Sequence, residues 1–213
     1  VGYVFVIHIP IAFSALFAPL MGISPGALLL LPLHVVLLEL VIDPTCSIVL
    51  ERQPAEKDIM NRAPRNSREN ILTSKTLIKS LMQGFVIFGA AFGTYIMFLK
   101  QNPDNAPLAR AMGITIILVA NVLLVNVNSS NSEFAIESVK KLTKDKVMWA
   151  VGLGTIVGLI VILYTPLSNF LKLAPLSLNQ MFIAIFIAFG SVVWYELVKV
   201  FKRGQTPGSN WKR

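Results

Sequence analysis

The chain has 213 residues, 54% hydrophobic and 14% charged, with 19 Lys and Arg against 11 Asp and Glu for a net charge of +8. Its mean hydropathy is +0.67, whereas a soluble domain carries about 25% charged residues; a soluble globular class is excluded, and the chain reads as an all-α integral membrane protein. The single cysteine, Cys46, rules out an internal disulfide and a Cys-based metal cluster, and the basic surplus is assigned to cytoplasmic loops, with no nucleic-acid partner.

The charges crowd into short segments between apolar runs that match the ~20 residues needed to cross a bilayer. Barrel strands would alternate over about ten residues, and these runs do not. Six transmembrane helices are therefore predicted, at about Val1–Met21, Ala27–Leu50, Thr76–Leu99, Leu108–Val127, Val147–Thr165 and Leu178–Phe201. They form a bundle with short loops over residues 1–203, followed by a cytoplasmic tail at 204–213.

The first span has no basic leader and no small-residue cleavage site, so it is not a secretory signal. It opens at Val1 without a methionine, and an upstream segment is expected. His8 is its ionisable residue, with Pro10 two positions on. A lone histidine there is more often a packing residue than a transport residue, and both readings stand. The second span carries Glu39 and Asp43, the only acids between Val1 and Leu50. A charge near the bilayer midplane costs roughly 2.5–3.5 kcal/mol on insertion scales, so both acids should face the bundle interior or a wet cavity. Four residues apart, they share a helix face, with Pro32 and Cys46 on the same stripe. Pro44 has no N–H and leaves the carbonyl of Leu40 without its helical donor. Two carboxylates beside a freed carbonyl are hard oxygen ligands at membrane depth. This predicts an ion or proton site; the alternative is a protonated pair satisfied by neighbouring helices. Leu38, off the shared face, is expected to tolerate alanine. His34 also falls off that face.

In the third span, "GFVIFGAAFG" (Gly84 to Gly93) offers small residues for close helix packing. In the fourth, Asn121 is a candidate site member, and Asn126 a lesser one. Basic residues orient the whole. Arg52, Lys57, Arg62, Arg65, Arg68 and Lys75 fall between spans two and three, and Lys140, Lys141, Lys144 and Lys146 between four and five. Lys199, Lys202, Arg203, Lys212 and Arg213 close the chain. The opposite connections hold only Lys100, Arg110 and Lys172, which places both termini in the cytoplasm.

"LLPLHVVLLELVIDPTCSIVLERQPAEKDIMNRAPR" (Leu30 to Arg65) resembles the C-terminal half of P-type cation-transporting ATPases, the calcium-pump-like branch. There the sixth transmembrane helix reads like (I/L)-P-x-Q-x-L-W-x-N-L-x-x-D, followed by P-P-x-x-x-I-M-x-R-P-P-R. Pro32, Leu40, Asp43, Pro54, Asp58, Ile59, Met60, Arg62, Pro64 and Arg65 are the counterparts. The resemblance implies that the six spans are transmembrane helices five to ten of a pump. It makes Asp43 an ion ligand, sets Glu39 where calcium pumps have an asparagine ligand, and sets His8 near the asparagine ligand of the fifth helix. It also implies that the loop at 51–75 transmits movement from the phosphorylation domain. Ile42 replaces a ligand threonine, Ile11 stands near a ligand glutamate and Pro44 replaces a glycine. A complete two-calcium site is therefore not expected, and the cation stays open.

No D-K-T-G-T, T-G-E-S or G-D-G-x-N-D motif is present, so this stretch is not expected to hydrolyse ATP or bind a cofactor. ATP and Mg2+ would be used by the N-terminal half of the intact pump, the implied partner beside the lipid bilayer and the cation. The expected location is the plasma membrane. The rival readings are a self-contained secondary transporter or channel-like protein using Glu39 as a proton relay, and a non-catalytic membrane subunit.

Overall fold

The computed structural model describes residues 2–51, 74–128 and 146–204. The basic loops at 52–73 and 129–145, the tail at 205–213, and the side chains of Cys46 and Asn126 lie outside this description. Seven helices occupy the described residues: α1 (Gly2–Leu20), α2 (Pro32–Glu51), α3 (Ser74–Gln101), α4 (Ala106–Asn128), α5 (Lys146–Tyr164), a single turn α6 (Leu167–Phe170) and α7 (Leu178–Gly204). No strand occurs among the described residues. Four helices, within α1, α3, α4 and α7, are long and apolar enough to cross a membrane. In α5 the stretch Trp149–Tyr164 is apolar but shorter.

The run "ITIILVANVLLV" (114–125) explains which helix sits in the middle. A helix apolar on every side has no face to offer water and is buried among others or in lipid. Of the apolar stretch in α4, 78% is buried inside the protein, against 22% in α7. Around α4 pack α3 and α7 most extensively, then α1, α2 and α5. The outer helices are apolar outwards as well: Leu16 and Leu20 on α1, Leu153 and Val157 on α5, and Phe182 and Phe186 on α7 are exposed. Such apolar outer faces fit a lipid surround and would be an aggregation hazard in water.

The α1–α3 contact is the most extensive among the described elements. A Cβ added at Gly84 would lie 2.7 Å from Ile9 Cβ, so the two backbones approach as only glycine allows. An aromatic ladder continues the seam. Phe13 meets Phe85 edge-on at 4.8 Å, and Phe88 stacks on Phe92 at 5.2 Å. The rest of the "GFVIFGAAFG" stretch behaves differently: nothing lies within 4 Å of a Cβ at Gly89 or Gly93.

Helix α2 starts at Pro32, five residues later than the apolar run suggests. Proline suits a first helical position, where its missing N–H is not needed. The leucines before it are non-helical, with Leu29 and Leu30 buried and Leu28 and Leu31 half-buried. Irregular backbone survives at that depth only when its polar groups find partners inside the protein, and here those partners are side chains of α3 and α4.

Candidate functional site

Helix α2 has two working stripes. His34, Leu38 and Ile42, spaced by four, are all fully buried and form its core face. Val35, Glu39 and Asp43 form the next stripe round, and it opens along the helix: Val35 and Glu39 are half-buried and Asp43 is exposed. Leu38 is therefore no tolerant neighbour. Truncating it to alanine removes core volume, at a cost of about 2–5 kcal/mol. The helix runs unbroken through Pro44; the proline removes one backbone donor and does not end the element.

Glu39 faces α1. Its Oε2 lies 3.3 Å from His8 Nε2, with the two side chains 31% and 42% exposed. The other ring nitrogen of His8, Nδ1, lies 2.8 Å from the carbonyl of Val4. A carbonyl only accepts, so Nδ1 carries a proton in that contact. Around this pair the backbone is partly unpaired, because Pro10 and Pro44 leave the carbonyls of Val6 and Leu40 without helical donors.

The structure brings His8 and Glu39 together and leaves the remaining candidates apart. Asp43 sits one turn further on, exposed. Asn121 is fully buried; its Oδ1 accepts from the Tyr3 hydroxyl, and its Nδ2 has no partner among the described residues. Tyr3 precedes His8 by five residues and so points to a different side of α1. No group of three His, Cys, Asp or Glu gathers among the described residues.

A second polar centre was not anticipated. Arg110, four residues into α4, is 1% exposed. Its guanidinium donates to three carbonyls: Nε to Leu28 at 2.8 Å, Nη2 to Gly26 at 2.8 Å and Nη1 to Lys172 at 2.5 Å. Tyr95 donates to the carbonyl of Ala27 at 2.5 Å. His34 completes the knot. Leu31 N–H donates to its Nδ1 at 3.1 Å, so Nε2 carries the hydrogen that reaches the carbonyl of Leu171 at 2.6 Å. This histidine is a neutral, fully bonded crosslink and has no lone pair left for a cation. Lys172, whose carbonyl is held, has a left-handed backbone with φ of 50°. The available signal was an ionisable residue just inside an apolar helix, where partners are required.

The comparisons with known proteins settle the family. Residues 27–201 match the cation-transporting ATPase C-terminus family. The chain belongs to that family. It is the C-terminal membrane region of a P-type ATPase, and Glu39, Asp43 and Asn121 lie inside the matched stretch while His8 precedes it. Similar curated proteins include the calcium-transporting ATPase of Bacillus subtilis, 28% identical over 152 residues. They also include calcium-transporting ATPase type 2C member 1 of Homo sapiens, 25% identical over 154 residues. The type 2C member 2 of Rattus norvegicus is 24% identical over 152 residues. These matches cover 70–72% of this chain but only 16% of each relative. The chain thus corresponds to about one-sixth of the length of the proteins it resembles.

Proposed function

We propose that this chain is the ion-pathway region of an ATP-driven cation pump and that the cation is held between α1 and α2 by Glu39 and His8. Asp43 and the freed carbonyl of Leu40 extend the site. The observation that carries the reading is the His8–Glu39 contact. A histidine and a glutamate meet midway along two mainly apolar helices, where an ionisable group is costly and marks an ion or proton path. In this reading α1, α2, α3, α4, α5 and α7 all cross the plasma membrane with both termini cytoplasmic. A longer protein supplies phosphorylation by ATP and Mg2+, and the loop at 51–75 transmits it to α2.

The test uses the full-length pump and measures cation-dependent phosphoenzyme formation. Glu39→Gln keeps the shape and removes the charge, so it should raise the cation concentration needed at half effect by at least about tenfold, equivalent to about 1.4 kcal/mol. Asp43→Asn should abolish cation control of phosphorylation while the protein still inserts. Val36→Ala is the control, because Val36 is on the same helix and 67% exposed; it should behave as wild type. Wild-type cation dependence in both acid variants would reduce the pair to packing residues and sink the proposal.

A further inference from the structure

The hydrogen bonds of His8 point to the chemical class of the cation. With Nδ1–H given to the Val4 carbonyl, a neutral His8 turns a bare lone pair from Nε2 toward Glu39. The carboxylate oxygen opposite also offers a lone pair, 3.3 Å away. Two acceptors facing each other at contact distance repel, and a positive particle between them, either a proton or a metal ion, turns the contact favourable. The backbone bond is the device by which metal-binding histidines are oriented: the far nitrogen donates to a carbonyl, which fixes the tautomer and aims the near nitrogen.

The separation suits a metal. Bonds of about 2.0–2.1 Å from nitrogen and oxygen to a tetrahedral ion put neighbouring ligand atoms roughly 3.3–3.4 Å apart. Distance alone does not exclude larger ions, but donor type does the sorting. Calcium takes six to eight oxygen ligands, and an imidazole nitrogen at the core of the site is a poor member of such a shell. Imidazole suits zinc, iron, nickel and copper.

We infer that the site between α1 and α2 accepts a divalent transition cation of the zinc class in preference to calcium, with His8 Nε2 and Glu39 Oε2 as two adjacent ligands. This deepens the pump reading and rests on it. The carbonyl of Leu40, Asp43 after a side-chain rotation, or residues of the longer protein complete the shell. The same geometry makes a proton the natural competitor, since it bridges the same two lone pairs.

The experiment takes the full-length pump in vesicles and titrates ZnCl2 and CaCl2 separately, reading cation-dependent phosphoenzyme. Wild type should respond to Zn2+ at concentrations at least about tenfold below those of Ca2+. His8→Asn exchanges the ring nitrogen for an amide group and should weaken the Zn2+ response by about 10- to 100-fold, with the Ca2+ response retained. Visible absorption of added Co2+ gives a readout independent of turnover. Bands of nitrogen-ligated Co2+ should appear in wild type, vanish in His8→Asn and persist in Val36→Ala. If Ca2+ acts at the lower concentration, His8→Asn changes neither titration and Glu39→Gln still raises the cation concentration needed at least about tenfold, the cation class is wrong and the pump site stands. If neither ion has an effect that depends on Glu39, the pump-site reading itself has failed.

Discussion

Arg110 shows how much one side chain can organise. A guanidinium is planar, permanently charged and able to donate in several directions at once. Here it meets carbonyls of two separate connections, Gly26 and Leu28 on one side and Lys172 on the other. Replacing it with methionine keeps the length but leaves those three carbonyls without their guanidinium donor. Lost bonds to a charged group are worth about 1.5–3 kcal/mol apiece before relaxation. We expect Arg110→Met to lower the unfolding temperature of the purified protein by roughly 5–10 °C, using about 2–4 °C per kcal/mol for a chain of this size. Arg110→Lys should recover little, because an ammonium reaches one or two of the three acceptors. An unfolding temperature within a degree of wild type in both variants would show that the knot is redundant.

At the scale of elements, the sequence was read well where hydrophobicity alone decides and poorly where hydrogen bonding does. The helical segments at Gly2–Leu20, Ala106–Asn128 and Lys146–Tyr164 lie within two residues of expectation, because a long apolar run in lipid has one way to satisfy its backbone. The start of α2 was misplaced. "ALLLL" (27–31) is as oily as any helix, yet its backbone is irregular, held by Arg110 and Tyr95 from helices distant in sequence. Nothing local reveals such partners. Likewise Glu39 was legible as an expensive acid in an apolar run, but its meeting with His8 depends on how α1 and α2 are each seated against α4. The glycine pattern was only partly informative, and it can be tested by contrast. Gly84→Ala forces a Cβ against Ile9 and should cost about 1–3 kcal/mol in thermal unfolding; Ile9→Ala should recover only part of it, because alanine keeps the Cβ that the new methyl meets at 2.7 Å. Gly89→Ala meets open space and should be neutral or slightly stabilising, since alanine is the better helix former. Equal effects at the two glycines would contradict the close α1–α3 crossing.

For the whole molecule, the distribution of basic residues makes a prediction about sidedness. A reporter inserted after Arg65 or Lys144 should report cytoplasm, and one near Asn105 or Asn169 should report the opposite side; Asn105 and Arg65 on one side would mean that α3 fails to cross. The knot of Arg110, Tyr95 and His34 lies where α2 and α4 begin, and it binds the α1–α2 and α6–α7 connections to α3 and α4. This anchorage makes α2 a lever with an off-centre fulcrum. At 1.5 Å per residue, Glu39 stands only about 7.5 Å from the pinned His34, while Glu51 stands about 25 Å away. A swing that carries the Glu51 end through ~3 Å displaces Glu39 by less than about 1 Å. That gearing reduces a coarse push at the far end to a sub-ångström adjustment where Glu39 meets His8.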